Sequence, residues 1–204
     1  SYKSGYVFTG WLGSDGQTYT AGTQIKISAS TEFTAQYATG TFEIDGKTYS
    51  TDRPHGSQSL GWAYDPHTEW NWGQAEIDIY SNYSGKPISV SGNFALHLDG
   101  MITGAAGQPA ISADGNVRIY ANRYGHSAAD KLFAQVYGGA GAPAVKATGD
   151  IWIDGLNSYT QTLVFKGDNG RPAFEAQRVC FFEPLLAGES ETAADFVGIY
   201  QAQN

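Results

Sequence analysis

Disulfides are the first thing this chain excludes. Its 204 residues contain one cysteine, Cys180, so no internal bridge can form. An oxidising compartment that uses no disulfides fits a bacterial exterior better than a eukaryotic secretory route. Charge is scarce too: 16% of residues are charged, and 20 acidic against 12 basic residues leave a net charge of −8. The basic residues form no cluster. Nucleic acid is therefore a poor partner, because its phosphates must be neutralised by Lys and Arg. The same scarcity argues against a polybasic membrane contact. No apolar run approaches a membrane span, and no signal peptide opens the chain. The sequence starts at Ser1 without Met, which reads as a processed or excised fragment.

Catalytic signatures are missing as well. There is no Gly-x-Ser-x-Gly, no His-Glu-x-x-His, no Walker loop and no EF-hand spacing. The chain has four histidines, and His67-x-Glu69 alone does not make a metal site. No cofactor is implied. Asp114, Asp150 and Asp168 sit at expected bends, where solvation or a single structural Ca²⁺ accounts for them.

What the chain does have is glycine, 26 residues of it, with 13 Tyr and 5 Trp. This is the composition of strands and turns. One phrase recurs: Gly85-Lys-Pro87-Ile-Ser-Val90-Ser-Gly92-Asn93-Phe94-Ala-Leu96, then Gly107-Gln-Pro109-Ala-Ile111-Ser-Ala113-Asp-Gly115-Asn116-Val117-Arg-Ile119. It returns as Gly141-Ala-Pro143-Ala-Val145-Lys-Ala147-Thr-Gly149-Asp150-Ile151-Trp-Ile153, and in worn form as Gly170-Arg-Pro172-Ala-Phe174-Glu-Ala176-Gln-Arg178-Val179. Each copy has two corners. Gly-x-Pro makes one, because Gly allows unusual φ and Pro fixes φ without donating to a ladder. The later Gly makes the other. Alternating segments follow each corner, and Leu132–Tyr137 and Thr160–Lys166 supply a third segment in the two longest intervals.

Three short strands and three bends per repeat, in constant phase, predict a parallel β-helix over 41–188. One inward column is expected at Ile77, Phe94, Val117 and Ile151, and a second at Ile79, Leu96, Ile119 and Ile153. Asn93, Asn116 and Asp150 form a polar column at the bend, where Asn and Asp bond the backbone. Residues 189–204 change character. Thr192-Ala-Ala-Asp195 reads as a capping box, with Phe196, Ile199 and Tyr200 at helical spacing. A helix covering the last rung is expected there. At the near end, Thr41–Tyr49 reads as a hairpin on Asp45-Gly46, and the aromatic-rich stretch with Trp62, Tyr64, Trp70 and Trp72 reads as core or cap.

Residues 1–40 read Gly5-Tyr6-Val-Phe8-Thr-Gly10-Trp11, then Gly22-Thr as a turn, then Phe33-Thr-Ala35-Gln-Tyr37. Tyr6 and Phe8, like Phe33, Ala35 and Tyr37, alternate as half-buried strands do. This segment resembles the second half of the Listeria–Bacteroides repeat, the internalin B-repeat type. Its signature is G-Y-x-F-x-G-W with a closing strand ending in A-x-W or A-x-Y. Tyr37 stands where the family usually has Trp, and the family's first strand has no counterpart here. The resemblance implies a partial β-grasp-like unit. It also implies an extracellular or cell-wall-associated bacterial protein, usually Gram-positive, in which such repeats serve as spacers or adhesive stalks. The Gly-x-Pro phrase is similar to rungs of secreted clostridial and gut-bacterial right-handed β-helix proteins, some of them carbohydrate-binding and some related to pectate lyases. The fold class expected is thus all-β: a small partial repeat, then a short right-handed parallel β-helix with a C-terminal helical cap.

Alternation sends a second set of side chains outward. One outward column is Asp78, Ala95, Arg118 and Trp152; the next is Tyr80, His97, Tyr120 and Asp154. Rungs ~4.8 Å apart would merge them into one face. A flat aromatic ring beside a carboxylate and an imidazole holds a sugar: the ring stacks on the apolar side and the polar groups take the hydroxyls. Arg123 and Tyr124, in the longest insert, extend this face. The candidate ligand-binding residues are therefore Tyr80, His97, Arg118, Tyr120, Arg123, Tyr124, Trp152 and Asp154. The leading expectation is a non-catalytic cell-surface or secreted protein that binds a glycan or host-surface component. A purely structural stalk or spacer is the second reading, since aromatic residues are common in strands. A polysaccharide lyase or glycosidase is the third. The third is opposed by the small number of carboxylates around Arg118 and by the distance between Asp78 and Asp154.

Overall fold

The computed structural model describes residues 3, 5–27, 30–66, 75–80, 82–85, 87–120, 132–154 and 160–182. These are all-β, with no helix among them. In chain order the strands are β1 (Tyr6–Gly13), β2 (Thr18–Tyr19), β3 (Phe33–Thr39), β4 (Thr41–Ile44), β5 (Lys47–Ser50), β6 (His55–Ser57) and β7 (Trp62–Asp65). There follow β8 (Glu76–Ile79), β9 (Tyr83–Gly85), β10 (Ile88–Ser91), β11 (Phe94–Leu98), β12 (Gly100–Gly104), β13 (Ile111–Asp114) and β14 (Val117–Tyr120). The last are β15 (Leu132–Tyr137), β16 (Val145–Ala147), β17 (Asp150–Asp154), β18 (Thr160–Lys166), β19 (Phe174–Glu175) and β20 (Arg178–Phe182).

From β8 onward every pairing between successive repeats is parallel. One stack runs β8-β11-β14-β17-β20, a second β9-β12-β15-β18, a third β10-β13-β16-β19. The chain visits the three stacks in unchanging rotation. The phase of the repeats explains this: Pro109, Pro143 and Pro172 each stand two residues before the paired Ile111, Val145 and Phe174, and the bend glycines Gly92, Gly115 and Gly149 two residues before the paired Phe94, Val117 and Ile151. Gly107, Gly141 and Gly170 turn the chain with φ of 76°, 73° and 75°, a region that side chains disfavour. The third segment is present in every repeat, because Tyr83–Gly85 and Gly100–Gly104 occupy the positions of Leu132–Tyr137 and Thr160–Lys166.

Inward residues of the three stacks form one core. Leu96, Ile119 and Ile153 line up in register, as do Phe94, Val117 and Ile151, all fully buried. Ile88, Ile111, Val145 and Phe174 do the same in the third stack, and Tyr83, Ile102, Val136 and Phe165 in the second. The first strand corrects the expected columns. Ile77 pairs with Leu96, not Phe94, and Ile79 with Leu98. Alternation has a period of two, so a two-residue slip leaves every side chain on its proper face and is invisible to the pattern.

The sheets are mixed, because antiparallel hairpins close the near end. β4–β5 turns on Asp45 and Gly46, with φ of 53° and 70°, and β4 lies against β10. β6–β7 lies against β8. Phe42, Tyr49, His55, Trp62, Tyr64 and Phe94 pack ring against ring at centroid distances of 4.8–6.3 Å. Trp62 and Tyr64 are core. At the far end Phe181 continues the Ile153 column yet is 43% exposed, since no described strand lies beyond β20. The expected cap at 189–204, with Thr192, Asp195, Phe196, Ile199 and Tyr200, lies outside the described residues, as do Trp70 and Trp72.

Strands β2-β1-β3 make a separate antiparallel sheet. A bulge between Phe8 and Gly10 lets Trp11 pack edge-on to Phe8, with ring centroids 5.2 Å apart. This sheet is pinned to the rest at the end where β1 begins and β3 finishes, Tyr6 facing Thr39. The Gly5 N–H donates to the Asn93 carbonyl at 3.0 Å, and the Gly40 N–H donates to the Gly5 carbonyl at 3.1 Å. The buried Thr51 hydroxyl donates to the Gly40 carbonyl at 3.0 Å and also faces that of Gly5.

Candidate functional site

The outward face of the β8-β11-β14-β17 stack is built by register alone. Ala95 pairs with Glu76 on one side and Arg118 on the other, and Arg118 pairs with Trp152. Glu76, Ala95, Arg118 and Trp152 therefore form one row. Asp78, His97, Tyr120 and Asp154 form the next. The corrected register changes both rows. Glu76, not Asp78, stands beside Ala95, and Asp78, not Tyr80, stands beside His97.

The second row holds a bonded pair. His97 Nδ1 lies 2.9 Å from Asp78 Oδ1, and the carboxylate can only accept, so Nδ1–H donates. The histidine side chain is 16% exposed and the aspartate 41%. The carboxylate thus orients the imidazole from its more open side. In the first row Ala95 is fully buried although it points outward. Its methyl lies between the positions of the much longer Glu76 and Arg118, and Glu76 is itself 8% exposed. Arg118 and Trp152 are half-buried. The expected exposed indole is thus corrected: Trp152 presents part of its surface, not all of it.

Tyr80 stands apart. It lies one residue past β8, its N–H donates to the Gly61 carbonyl at 2.9 Å, and it is 40% exposed. Its hydroxyl reaches toward the Trp62 carbonyl at 3.5 Å, which turns it to the near-end hairpin and away from His97. The backbones of Tyr120 and Asp154 continue the His97 row, and their side chains lie outside the described residues. Arg123 and Tyr124 lie outside them altogether. Asp78 and Asp154 are three strand spacings apart, ~14 Å, beyond the carboxylate separation that glycoside hydrolysis uses. Among the described residues no group of three or more His, Cys, Asp or Glu is placed to hold a metal ion. Nor is any helix there long and apolar enough to cross a membrane.

Glu76 is the residue the pattern missed, and a signal for it exists. Gly73 stands two residues before Ala75 as Gly92 stands two before Phe94. Anchoring on that glycine, and not on the isoleucines, aligns Ala75 with Phe94 and Glu76 with Ala95.

Next to this face runs a polar ladder. Asn116 Nδ2 donates to Asn93 Oδ1 at 2.7 Å, and the Asp150 N–H donates to Asn116 Oδ1 at 2.7 Å. Arg178 ends it with two bonds to Asp150, 2.6 Å from Nη2 and 3.1 Å from Nε. That carboxylate holds the Arg178 guanidinium still more firmly protonated than usual. Comparison with family models, curated proteins and solved structures finds no match.

Proposed function

We propose that this is a non-catalytic binding module of a bacterial cell-surface or secreted protein, and that it takes a glycan or another surface ligand on the outward face of the first parallel stack. The three stacks are read as a short right-handed parallel β-helix, its far end covered by the C-terminal segment. The rotation of the chain among three parallel stacks supports that reading. So does the single core they share.

One observation carries the functional reading. Register sets a carboxylate-oriented imidazole, Asp78–His97, beside a row holding a guanidinium and an indole, Arg118–Trp152. A sugar needs such a set: one flat apolar surface for its C–H face, and fixed donors and acceptors around it for its hydroxyls. Partial burial of Trp152 and Arg118 restricts their rotamers before a ligand arrives, which lowers the entropic cost of binding. The signature Gly5-Tyr6-Val-Phe8-Thr-Gly10-Trp11 supports an extracellular or wall-attached setting.

A glycan array probed with the folded chain tests this, followed by titration of the best ligand. Trp152→Ala should weaken binding by about 1–3 kcal/mol, the size of a hot-spot residue. It should also lower stability modestly, because the ring is half-buried. An array without a hit from the folded chain would favour the spacer reading. Unaltered affinity in Trp152→Ala would move the site off this face.

A further inference from the structure

We propose that β3 is a docking edge whose occupant is β3 of a second copy of this chain, paired antiparallel about a two-fold axis at Gln36. This does not depend on the ligand reading above.

The β2-β1-β3 sheet has β1 at its centre, a two-residue strand on one side and the seven-residue β3 on the other. Among the described residues no strand lies beyond β3. Its outer row of backbone N–H and C=O groups is thus a template for another strand. Proteins blunt such edges with charge, proline or a bulge. Phe33-Thr-Ala-Gln-Tyr-Ala-Thr39 has none of these; the one bulge lies across the sheet in β1. Two effective strands are also marginal on their own, and joining two copies would make a continuous six-stranded sheet.

Self-complementarity decides the occupant. About Gln36, Ala35 falls opposite Tyr37, small against large, and Thr34 opposite Ala38, both exposed. Charges sit only beyond the strand ends. Glu32 immediately precedes Phe33. At the other end the Lys3 ammonium lies 3.8 Å from the ring centroid of Tyr6, whose strand partner is Thr39, and 5.7 Å from that of Tyr37. Antiparallel pairing brings the Glu32 end of each copy to the Lys3 end of the other. Parallel pairing would set Glu32 beside Glu32 and is disfavoured. An isologous contact of this kind closes, so it yields a dimer and not a filament.

Sedimentation equilibrium on the whole chain from low to high micromolar concentration should show a monomer–dimer equilibrium. Amides of 33–39 should exchange more slowly as concentration rises. Thr34→Lys combined with Ala38→Lys sets like charges directly opposite, twice per dimer, and should raise the dissociation constant at least about tenfold. Thr34→Glu combined with Ala38→Lys changes the same sites but opposes unlike charges, and should restore or tighten the dimer. A chain that stays monomeric throughout overturns the proposal. So does equal loss of dimer in both variants, or protection of 33–39 only when another protein is added.

Discussion

At the residue scale the polar ladder is the informative feature. Asn116 uses one side-chain oxygen to accept from Asp150 and its amide nitrogen to donate to Asn93. Both ends are nearly buried, with Asn93 9% and Asp150 7% exposed. Replacing it leaves the Asp150 N–H unsatisfied, which costs more than the bond itself was worth, while Asn93 Oδ1 keeps the backbone N–H of residue 116 at 3.2 Å. Asn116→Ala should lower unfolding free energy by about 1–3 kcal/mol, one desolvated polar group, as read by chemical denaturation. Asn116→Asp keeps the acceptor for the Asp150 N–H but loses the donor to Asn93 and sets a carboxylate near Asp150, so it should not rescue.

Tyr64 makes a second prediction at this scale, in pH. Its ring is fully buried, its hydroxyl donates to the Thr51 carbonyl at 2.8 Å, and burial pushes its pKa well above the ordinary tyrosine value. The folded state thus holds this proton more tightly than the unfolded state. Stability from this source is complete below the unfolded value near 10 and falls as pH rises above it. Tyr83, also raised by burial, acts in the same direction. Thermal midpoints should therefore drop between pH 9 and 11 more steeply in the wild type than in Tyr64→Phe, although the variant starts lower at neutral pH. Parallel curves for the two would remove Tyr64 as the cause.

At the element scale, each short strand is held by its place in a column. Isolated strands of four or five residues have little stability, and β14 is buried by neighbours on both sides. Ile119 is fully buried between Leu96 and Ile153. Ile119→Ala should cost about 2–5 kcal/mol, through lost burial and the cavity left between adjacent strands. A change under about 0.5 kcal/mol would instead be that of a surface position. The same scale shows why the near-end column stands two residues from its expected place. Glu76–Ile79 carries perfect alternation but no Gly-x-Pro before it, so alternation shows its face and only Gly73 marks its register. Where the full phrase stands, at Gly115-Asn116-Val117 and Gly149-Asp150-Ile151, the pairing followed from the sequence residue by residue.

For the whole molecule, the consequence to test is how the small sheet is attached. Gly5, Gly40 and Thr51 tie one end of it to the Asn93 bend through a few backbone bonds and one buried hydroxyl. Thr51→Val keeps the shape and deletes that hydroxyl, at a cost of about 1–2 kcal/mol. The loss should be local. Hydrogen exchange in β1 and β3 should accelerate, while β11, β14 and β17 keep their protection. Uniform acceleration would mean that the small sheet and the three stacks unfold as one unit.

By itself the sequence determined the repeat, the all-β class, the inward and outward sets and the asparagine column. All of these follow from local periods of two and from the steric demands of Gly and Pro, which any stretch carries with it. It also placed Asp78, His97, Arg118 and Trp152 on one outward face. Only the tertiary structure decided which outward residues of β8 stand beside β11. Pairing His97 with Asp78 is a choice between registers two residues apart, and alternation is equal in the two. What separates them is packing: Ala75 and not Ile77 lies level with the fully buried Phe94, beneath the aromatic rings of the near-end hairpins. Burial of Ala95 and half-burial of Trp152 were decided there too, because exposure depends on side chains from adjacent strands, about twenty to thirty-five residues away along the chain and ~4.8 Å away in space.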